Sequence, residues 1–166
     1  MIYALYAAVV LVLIGCDQLL KAWTVSNLAL GESTAFLPGL LQLTRVHNYG
    51  AAWSSFSGKT VMLIAVTAVL LVAVAYLLIR RIVRHPLGIA AALLILGGGV
   101  GNIIDRIAHG YVVDMFDLLL FDYPVFNLAD CFVVVGVILA AVYYLWFYEK
   151  YDARKKNDAS DADGDK

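Results

Sequence analysis

A group of five carboxylates lies between residues 97 and 130, in the strongly apolar part of the chain. This stretch begins inside one apolar run and ends at the start of another, and its only arginine is Arg106. Carboxylates near lipid cost free energy, so acids concentrated there indicate a function. The five acids of the stretch are Asp105, Asp114, Asp117, Asp122 and Asp130.

Two of these acids have surroundings that suit proton transfer. Asp114 stands between Val113 and Met115, where loss of water raises the pKa of a carboxyl group. Asp130 follows Asn127 by three residues at the start of an apolar run, which predicts a helix cap with a reciprocal capping box. Two carboxylates in unlike surroundings are the machinery of an aspartic peptidase, in which one takes a proton from water and the other protonates the scissile carbonyl.

The same residues have structural interpretations. A helix cap alone explains Asn127 and Asp130, and spacing does not determine which two aspartates would pair. Asp117 and Asp122 fall in a segment interpreted as an open loop, where we expect both to be solvated.

Polar residues elsewhere are candidates for supporting the acids. Asp17 and Lys21 are four residues apart, which predicts an ion pair on one face of the first helix. The alternative is that Lys21 reaches lipid headgroups or the carboxylate cluster. A second group shares one face of the third helix, and we expect it to form a mutually hydrogen-bonded network that fixes helix contacts or takes part directly in the chemistry: Asn102, Asp105 and Arg106.

Composition indicates a bilayer as the solvent. The chain has 166 residues, of which 63% are hydrophobic, and its mean hydropathy is +0.83. A net charge of −1 gives no indication of a nucleic-acid partner, and two cysteines make no disulfide framework. We therefore predict an all-α membrane protein with a single domain over residues 1–150 and a disordered cytoplasmic tail over 151–166. Its four transmembrane helices are expected at about 2–20, 60–79, 87–105 and 127–147.

Basic residues predict the orientation. With four spans, eight lysines and arginines fall on one side, in residues 80–84 and after residue 149, against four on the other. The positive-inside rule then places both termini in the cytoplasm and the acids at the outer leaflet. Between the first two spans, the turn signal at 36–39 and the loose alternation at 41–46 predict a small extracytoplasmic β-sheet, with His47 in an exposed loop. The glycines at 97–101 predict close helix packing.

Taken in order, several short motifs make the chain similar to the bacterial lipoprotein signal peptidases, also called signal peptidase II. They are Asp17 and Lys21, then 48–53 (NYGAAW), 101–106 (GNIIDR), 112–114 (VVD) and 126–130 (FNLAD). The chain departs from the family at Trp53, where Phe is usual, and at Cys131, where Ser is common.

The resemblance implies an aspartic endopeptidase of the bacterial cytoplasmic membrane. It implies cleavage of prolipoproteins just before a cysteine that already carries diacylglycerol, with Asp114 and Asp130 as the catalytic pair. No metal or organic cofactor and no nucleic acid is implied, and we expect a monomer whose partners are its substrates and membrane lipids. The family positions that support the pair or cradle the substrate match Asp17, Lys21, Asn48, Gly50, Asn102, Asp105, Arg106 and Asn127.

Other classes of membrane protein account for the sequence less well. A small proton-coupled transporter would need a charged path across the membrane, whereas the acids here collect at one surface. A non-catalytic assembly protein would explain the helix-packing glycines but not the placement of two acids.

Overall fold

The computed structural model describes residues 1–51 and 55–153. Trp53, one of the two departures from the family pattern, therefore lies outside the described residues. The elements in chain order are α1 (Ile2–Asn27), β1 (Ser33–Leu37), β2 (Leu41–Asn48), α2 (Thr60–Ile79), α3 (Pro86–His109), β3 (Val112–Leu118), α4 (Leu128–Trp146) and a π-helical segment (Tyr148–Ala153).

Within the described ranges, four helices are long and apolar enough to cross a membrane, as the composition predicts. The helix α1 continues seven residues past its predicted end at residue 20, to Asn27. It does so because the polar side chains of its last turns, Asp17, Lys21 and Thr24, are buried against the rest of the protein and need no water. The helix α3 ends at His109 and is capped by Gly110, whose φ of 81° is the left-handed conformation that favours glycine at this position.

The central helix is α3, which contacts α1, α2 and α4. Its glycines face these neighbours, as the sequence predicts. A Cβ at Gly98 would lie 2.3 Å from the backbone oxygen of Ala129, and a Cβ at Gly97 would lie 2.7 Å from Leu13. Only glycine permits these approaches, so the small residues set how closely α3 and α4 pack.

A three-stranded antiparallel sheet in the order β1-β2-β3 lies at one end of the helices. The predicted sheet between α1 and α2 is present, but its third strand, Val112–Leu118, follows α3 and was not predicted. The sheet packs on the C-terminal end of α1 through a small core of Leu28, Leu43, Val113 and Met115. This contact fixes β3 against the helices.

Two predictions about this region are wrong. Asp117 is not in an open loop, because it belongs to β3 and accepts hydrogen bonds from Gln42 Nε2 at 2.7 Å and Thr44 Oγ1 at 2.8 Å. His47 is not a free loop residue, because it lies in β2 with its ring stacked on Tyr111, the ring centroids 3.8 Å apart. Asp117 is part of the unpredicted strand β3, and Tyr111, which shields His47, directly precedes that strand. Both side chains are therefore partly shielded from solvent. Asp122 is exposed, as expected.

The other end of the helices is closed by the π-helical segment, in which the Asp152 carboxylate accepts hydrogen bonds from the Tyr143 hydroxyl and the backbone N–H of Arg84. Residues 151–153 of the predicted tail thus belong to this segment. Residues 154–166 lie outside the described residues, and for them the prediction of disorder stays a prediction.

Candidate active site

Asp114 lies in the middle of β3, opposite Val46 of β2. Its side chain is 1% exposed and accepts hydrogen bonds from two amides, Asn48 Nδ2 at 2.9 Å and Asn127 Nδ2 at 2.6 Å. The antiparallel register brings Asn48, near the end of β2, to this position. A buried carboxylate is thereby held in one orientation by residues from two distant parts of the chain.

Asn127 and Asp130 form the predicted capping box at the start of α4. The backbone N–H of Asp130 donates to Asn127 Oδ1 at 2.9 Å, and the backbone N–H of Asn127 donates to Asp130 Oδ2 at 3.2 Å. Asn127 thus caps the helix with its carbonyl oxygen and donates to Asp114 with its amide nitrogen. One residue therefore holds both acids in place.

Asn102, on α3, joins the two acids to a buried cation. Its Nδ2 donates to Asp130 Oδ1 at 2.8 Å, and its Oδ1 accepts from Lys21 Nζ at 3.1 Å and from Asn127 Nδ2 at 3.2 Å. The amide therefore makes three of its four possible hydrogen bonds, and its orientation follows from the lysine, since the oxygen must face the ammonium.

Lys21 is 3% exposed and lies between two carboxylates. Its Nζ is 2.8 Å from Asp17 Oδ2, which is the predicted pair, and 3.2 Å from Asp105 Oδ2. Both carboxylates also accept a hydrogen bond from the backbone at 3.0 Å. Asp17 Oδ1 accepts it from the N–H of Ala129, and Asp105 Oδ2 accepts it from the N–H of Val113. The ion cluster is thus bonded to the backbone next to each acid of the candidate site.

The predicted network on α3 is present in a different form. Asn102, Asp105 and Arg106 share a helix face, but among the described residues no hydrogen bond joins the side chain of one to the side chain of another. Arg106 instead donates to the backbone oxygens of Gly50 at 2.8 Å and Asn102 at 3.3 Å, so it fixes the chain after β2. The three side chains diverge because each finds a partner on another element.

Sequence reasoning missed Gln18. Its Nε2 donates to Asp105 Oδ1 at 2.9 Å and to the backbone oxygen of Gly101 at 3.2 Å. A polar residue next to Asp17 inside an apolar helix was the available signal.

The pKa of Asp114 is raised to about 7 from an ordinary value of 3.8. Burial away from water is the largest cause, and the negative charge of Asp130 adds to it. Hydrogen bonds from Asn127 and Asn48 and the charge of Lys21 oppose the rise. Asp114 is therefore poised to hold a proton near neutral pH, as its apolar sequence neighbours predict.

A cavity of about 260 Å³ opens at the two acids. Its polar wall carries Asp114, Asp130, Asn48 and Arg106, and the remaining wall is largely apolar. No group of three or more metal-ligating side chains occurs among the described residues. The apolar lining is contributed by Val112, Pro124, Val125, Phe126, Val133 and Val134.

The arrangement suits hydrolysis of a peptide bond. Two carboxylates joined through one asparagine face a common cavity at one end of four membrane-crossing helices. Together with the fold, this defines a membrane-embedded aspartic peptidase.

Comparison with known proteins gives the family. Residues 9–146 match the family model of signal peptidase (SPase) II, and the chain belongs to that family. The lipoprotein signal peptidase of Enterococcus faecalis is 40% identical over 140 residues, covering 84% of this chain and 87% of that protein. The lipoprotein signal peptidase of Lactiplantibacillus plantarum is 41% identical over 140 residues, covering 83% and 92%.

Solved structures agree with the fold. A bacterial membrane enzyme determined by the in meso method at 2.3 Å resolution superposes with a TM-score of 0.81 at 31% identity, over 86% of this chain and 88% of that one. A second such structure, at 1.9 Å resolution, superposes with a TM-score of 0.79 at 31% identity, over 87% of this chain and 94% of that one. The protein is thus a multi-pass membrane enzyme.

Proposed function

We propose that Asp114 and Asp130 are the catalytic carboxylates with which this peptidase removes signal peptides from prolipoproteins, cutting just before a diacylglyceryl-modified cysteine. The observation that carries the proposal is that Asn127 donates a hydrogen bond to each of the two acids. Its amide nitrogen donates to Asp114 and its backbone N–H donates to Asp130, at the wall of one cavity.

The two acids have different tasks in this mechanism. Asp114 holds the proton at rest in this mechanism, because it is the more deeply buried acid, and Asp130 is its ionised partner. Asp130 takes a proton from water, whose oxygen attacks the scissile carbonyl carbon while Asp114 protonates the carbonyl oxygen. The C–N bond of the resulting diol then breaks as the leaving amine receives the proton from Asp130, while Asp114 takes back a proton from a diol hydroxyl, which leaves the new carboxyl group.

The lining of the cavity supports a substrate that approaches from lipid. Val133 and Val134 on α4 form part of its wall, and Val134 is 54% exposed on the outer surface of the helices. A prolipoprotein whose signal peptide lies in the bilayer would enter past these residues with the acyl chains of its modified cysteine still in lipid. The small volume suits short side chains next to the cleavage site.

The remaining polar residues are positioning residues in this proposal. Asp17, Lys21 and Asp105 hold the backbone beside the acids, and Asn102 orients Asp130. Asn48 orients Asp114, while Arg106 and Gly50 fix the segment after β2. Residues 1–150 form one domain that acts as a monomer, without metal or cofactor.

We place the protein in the bacterial cytoplasmic membrane with both termini inside and the acids at the outer leaflet. The excess of basic residues at the opposite end of the helices supports this orientation. A green fluorescent protein fused to the C-terminus is expected to fluoresce, whereas an alkaline phosphatase fusion there is expected to be inactive. Phosphatase activity of the C-terminal fusion would mean that the C-terminus lies outside and that the proposed orientation is wrong.

A cleavage assay in detergent tests the function. Wild-type protein is expected to cut a diacylglyceryl-modified prolipoprotein and to leave the unmodified precursor intact. Asp114→Asn and Asp130→Asn are expected to abolish cleavage while folding normally. Asp122→Asn is the matched control, because it removes the same charge at an exposed position. Full activity of Asp114→Asn would refute the assignment of Asp114 as a catalytic carboxylate. If wild-type protein cleaved neither precursor, the proposed substrate would be wrong.

A further inference from the structure

The end of the helices opposite Asp114 carries two cavities that share a pair of arginines. One cavity, of about 250 Å³, is lined mostly by apolar and aromatic side chains of α1, α2 and α3, with Arg81 and Arg84 among them. The other, of about 200 Å³, is lined by the same two arginines together with Arg80, Ile82, Tyr148 and Asp152. A cavity lined mainly by apolar and aromatic residues, the apolar cavity, and one lined mainly by charged residues, the charged cavity, therefore meet at Arg81 and Arg84.

Arg81 is held in an unusual conformation. Its φ is 53°, in the left-handed region, which costs free energy for a residue other than glycine. The strained residue is held by Tyr3, because Arg81 Nε donates to the Tyr3 hydroxyl at 3.3 Å and that hydroxyl donates to Ile79 O at 3.1 Å. Tyr3 thereby keeps the guanidinium at the junction of the two cavities.

Asp152, which lines the charged cavity, has one carboxylate oxygen without a hydrogen-bond partner among the described residues. Asp152 Oδ2 accepts from the Tyr143 hydroxyl and from the backbone N–H of Arg84. Asp152 Oδ1 is buried and has no hydrogen-bond partner among the described residues. A buried carboxylate oxygen favours a ligand that brings a hydrogen-bond donor.

We propose that these two cavities form a binding site for an anionic glycerophospholipid with a hydroxyl-bearing headgroup, such as phosphatidylglycerol. The phosphate lies between Arg81 and Arg84, one acyl chain occupies the apolar cavity beside Tyr6, Leu78 and Ile89, and a headgroup hydroxyl donates to Asp152. The site is separate from the cavity at Asp114 and needs no part of the proposed catalysis.

The chemistry of the site selects this occupant. Two guanidinium groups at a membrane boundary favour a phosphate with a net negative charge over a zwitterionic lipid, by roughly fivefold in affinity per arginine. Phosphatidic acid supplies the charge but no headgroup hydroxyl for Asp152. The adjoining apolar cavity favours a lipid over free inorganic phosphate, which has no acyl chain to occupy it.

Native mass spectrometry of the detergent-purified full-length protein tests the site. Titrations use phosphatidylglycerol, phosphatidic acid and phosphatidylcholine of identical acyl chains. We expect the strongest adducts with phosphatidylglycerol, weaker ones with phosphatidic acid and the weakest with phosphatidylcholine. Equal binding of phosphatidylcholine and phosphatidylglycerol would overturn the proposal, and equal binding of the two anionic lipids would remove Asp152 from it.

Variants separate the site from general charge effects. Arg81→Asn is chosen because asparagine tolerates a positive φ, and Arg84→Gln removes the second charge. Each is expected to weaken binding of phosphatidylglycerol about fivefold. Lys59→Gln removes one positive charge at an exposed residue next to α2, at the other end of the helices, and is expected to change nothing.

The apolar cavity has its own test. Ile89→Phe is expected to occupy part of the cavity and reduce binding of long-chain phosphatidylglycerol while cleavage activity is kept. Undiminished binding by both arginine variants and by Ile89→Phe would mean that lipid associates with this protein only at its general surface.

Discussion

Asn127 Nδ2 lies 2.6 Å from Asp114 Oδ1, which joins the cap of α4 to the middle of β3. The same amide has its oxygen committed to the helix, since Asn127 Oδ1 accepts from the backbone N–H of Asp130. The orientation of the asparagine is therefore determined by α4, and it presents an N–H donor to Asp114. This relationship couples the position of one acid to that of the other.

Replacing Asn127 is expected to harm activity more than stability. Asn127→Asp keeps an oxygen to cap α4 but places a carboxylate against Asp114, so we expect cleavage to fall at least about a hundredfold. The measurement is kcat/KM for a lipidated precursor, with the melting temperature of the detergent-solubilised protein recorded alongside. Activity within a few fold of wild type would show that the donor to Asp114 is dispensable.

The pH dependence of cleavage should report Asp114. Because its pKa is raised to about 7, the protonated form needed by the mechanism is present below pH 7 and is lost as the pH rises through that value. Activity is therefore expected to decline on the alkaline side of about pH 7. The hydrogen bond from Asn48 lowers the pKa of Asp114, so Asn48→Ala is expected to shift this decline to higher pH.

Gln42→Ala is the control for this shift. Gln42 lies on the same strand as Asn48 but donates to Asp117 instead of Asp114, so its profile should coincide with that of wild type. An alkaline decline that stays in place in Asn48→Ala would assign the titration to another group.

The buried ion cluster predicts a large loss of stability. Lys21→Met leaves Asp17 and Asp105 buried without their cation, and breaking a buried ion pair costs about 3–5 kcal/mol. The melting temperature in detergent is expected to fall sharply. Adding Asp105→Asn should restore part of the loss, because it removes one uncompensated charge and keeps an oxygen for the Val113 N–H.

Lys59→Met provides the comparison, since Lys59 is exposed and its loss leaves no buried charge. A melting temperature of Lys21→Met equal to that of Lys59→Met would mean that the cluster contributes no net stability.

Close packing at Gly98 predicts that one methyl group displaces a catalytic element. In Gly98→Ala the new Cβ would lie 2.3 Å from Ala129 O, so α4 must move away from α3 next to Asp130. We expect at least about tenfold lower cleavage activity, because misplacement by about 1 Å is enough to impair positioned groups. Gly15→Ala is the matched control, because nothing lies within 4 Å of its Cβ, and it should cleave normally.

The sequence by itself determined the four helices, the glycine contacts, the capping box at Asn127 and the pair of Asp17 and Lys21. Each depends on local spacing or on a long apolar run, which a helix converts directly into a face or an end. The high pKa of Asp114 also followed from its apolar neighbours, because burial is its main cause.

Only the tertiary structure decided which groups meet. The strand β3 was hidden because it is short and carries two aspartates, and its register with β2 brings Asn48 to Asp114 across 66 residues of chain. The structure pairs Lys21 with Asp105 in addition to Asp17. It also places Asp117 in hydrogen bonds with Gln42 and Thr44, where the sequence predicted a solvated side chain. Contacts between distant segments depend on packing that no local pattern specifies, and the candidate site is made almost wholly of such contacts.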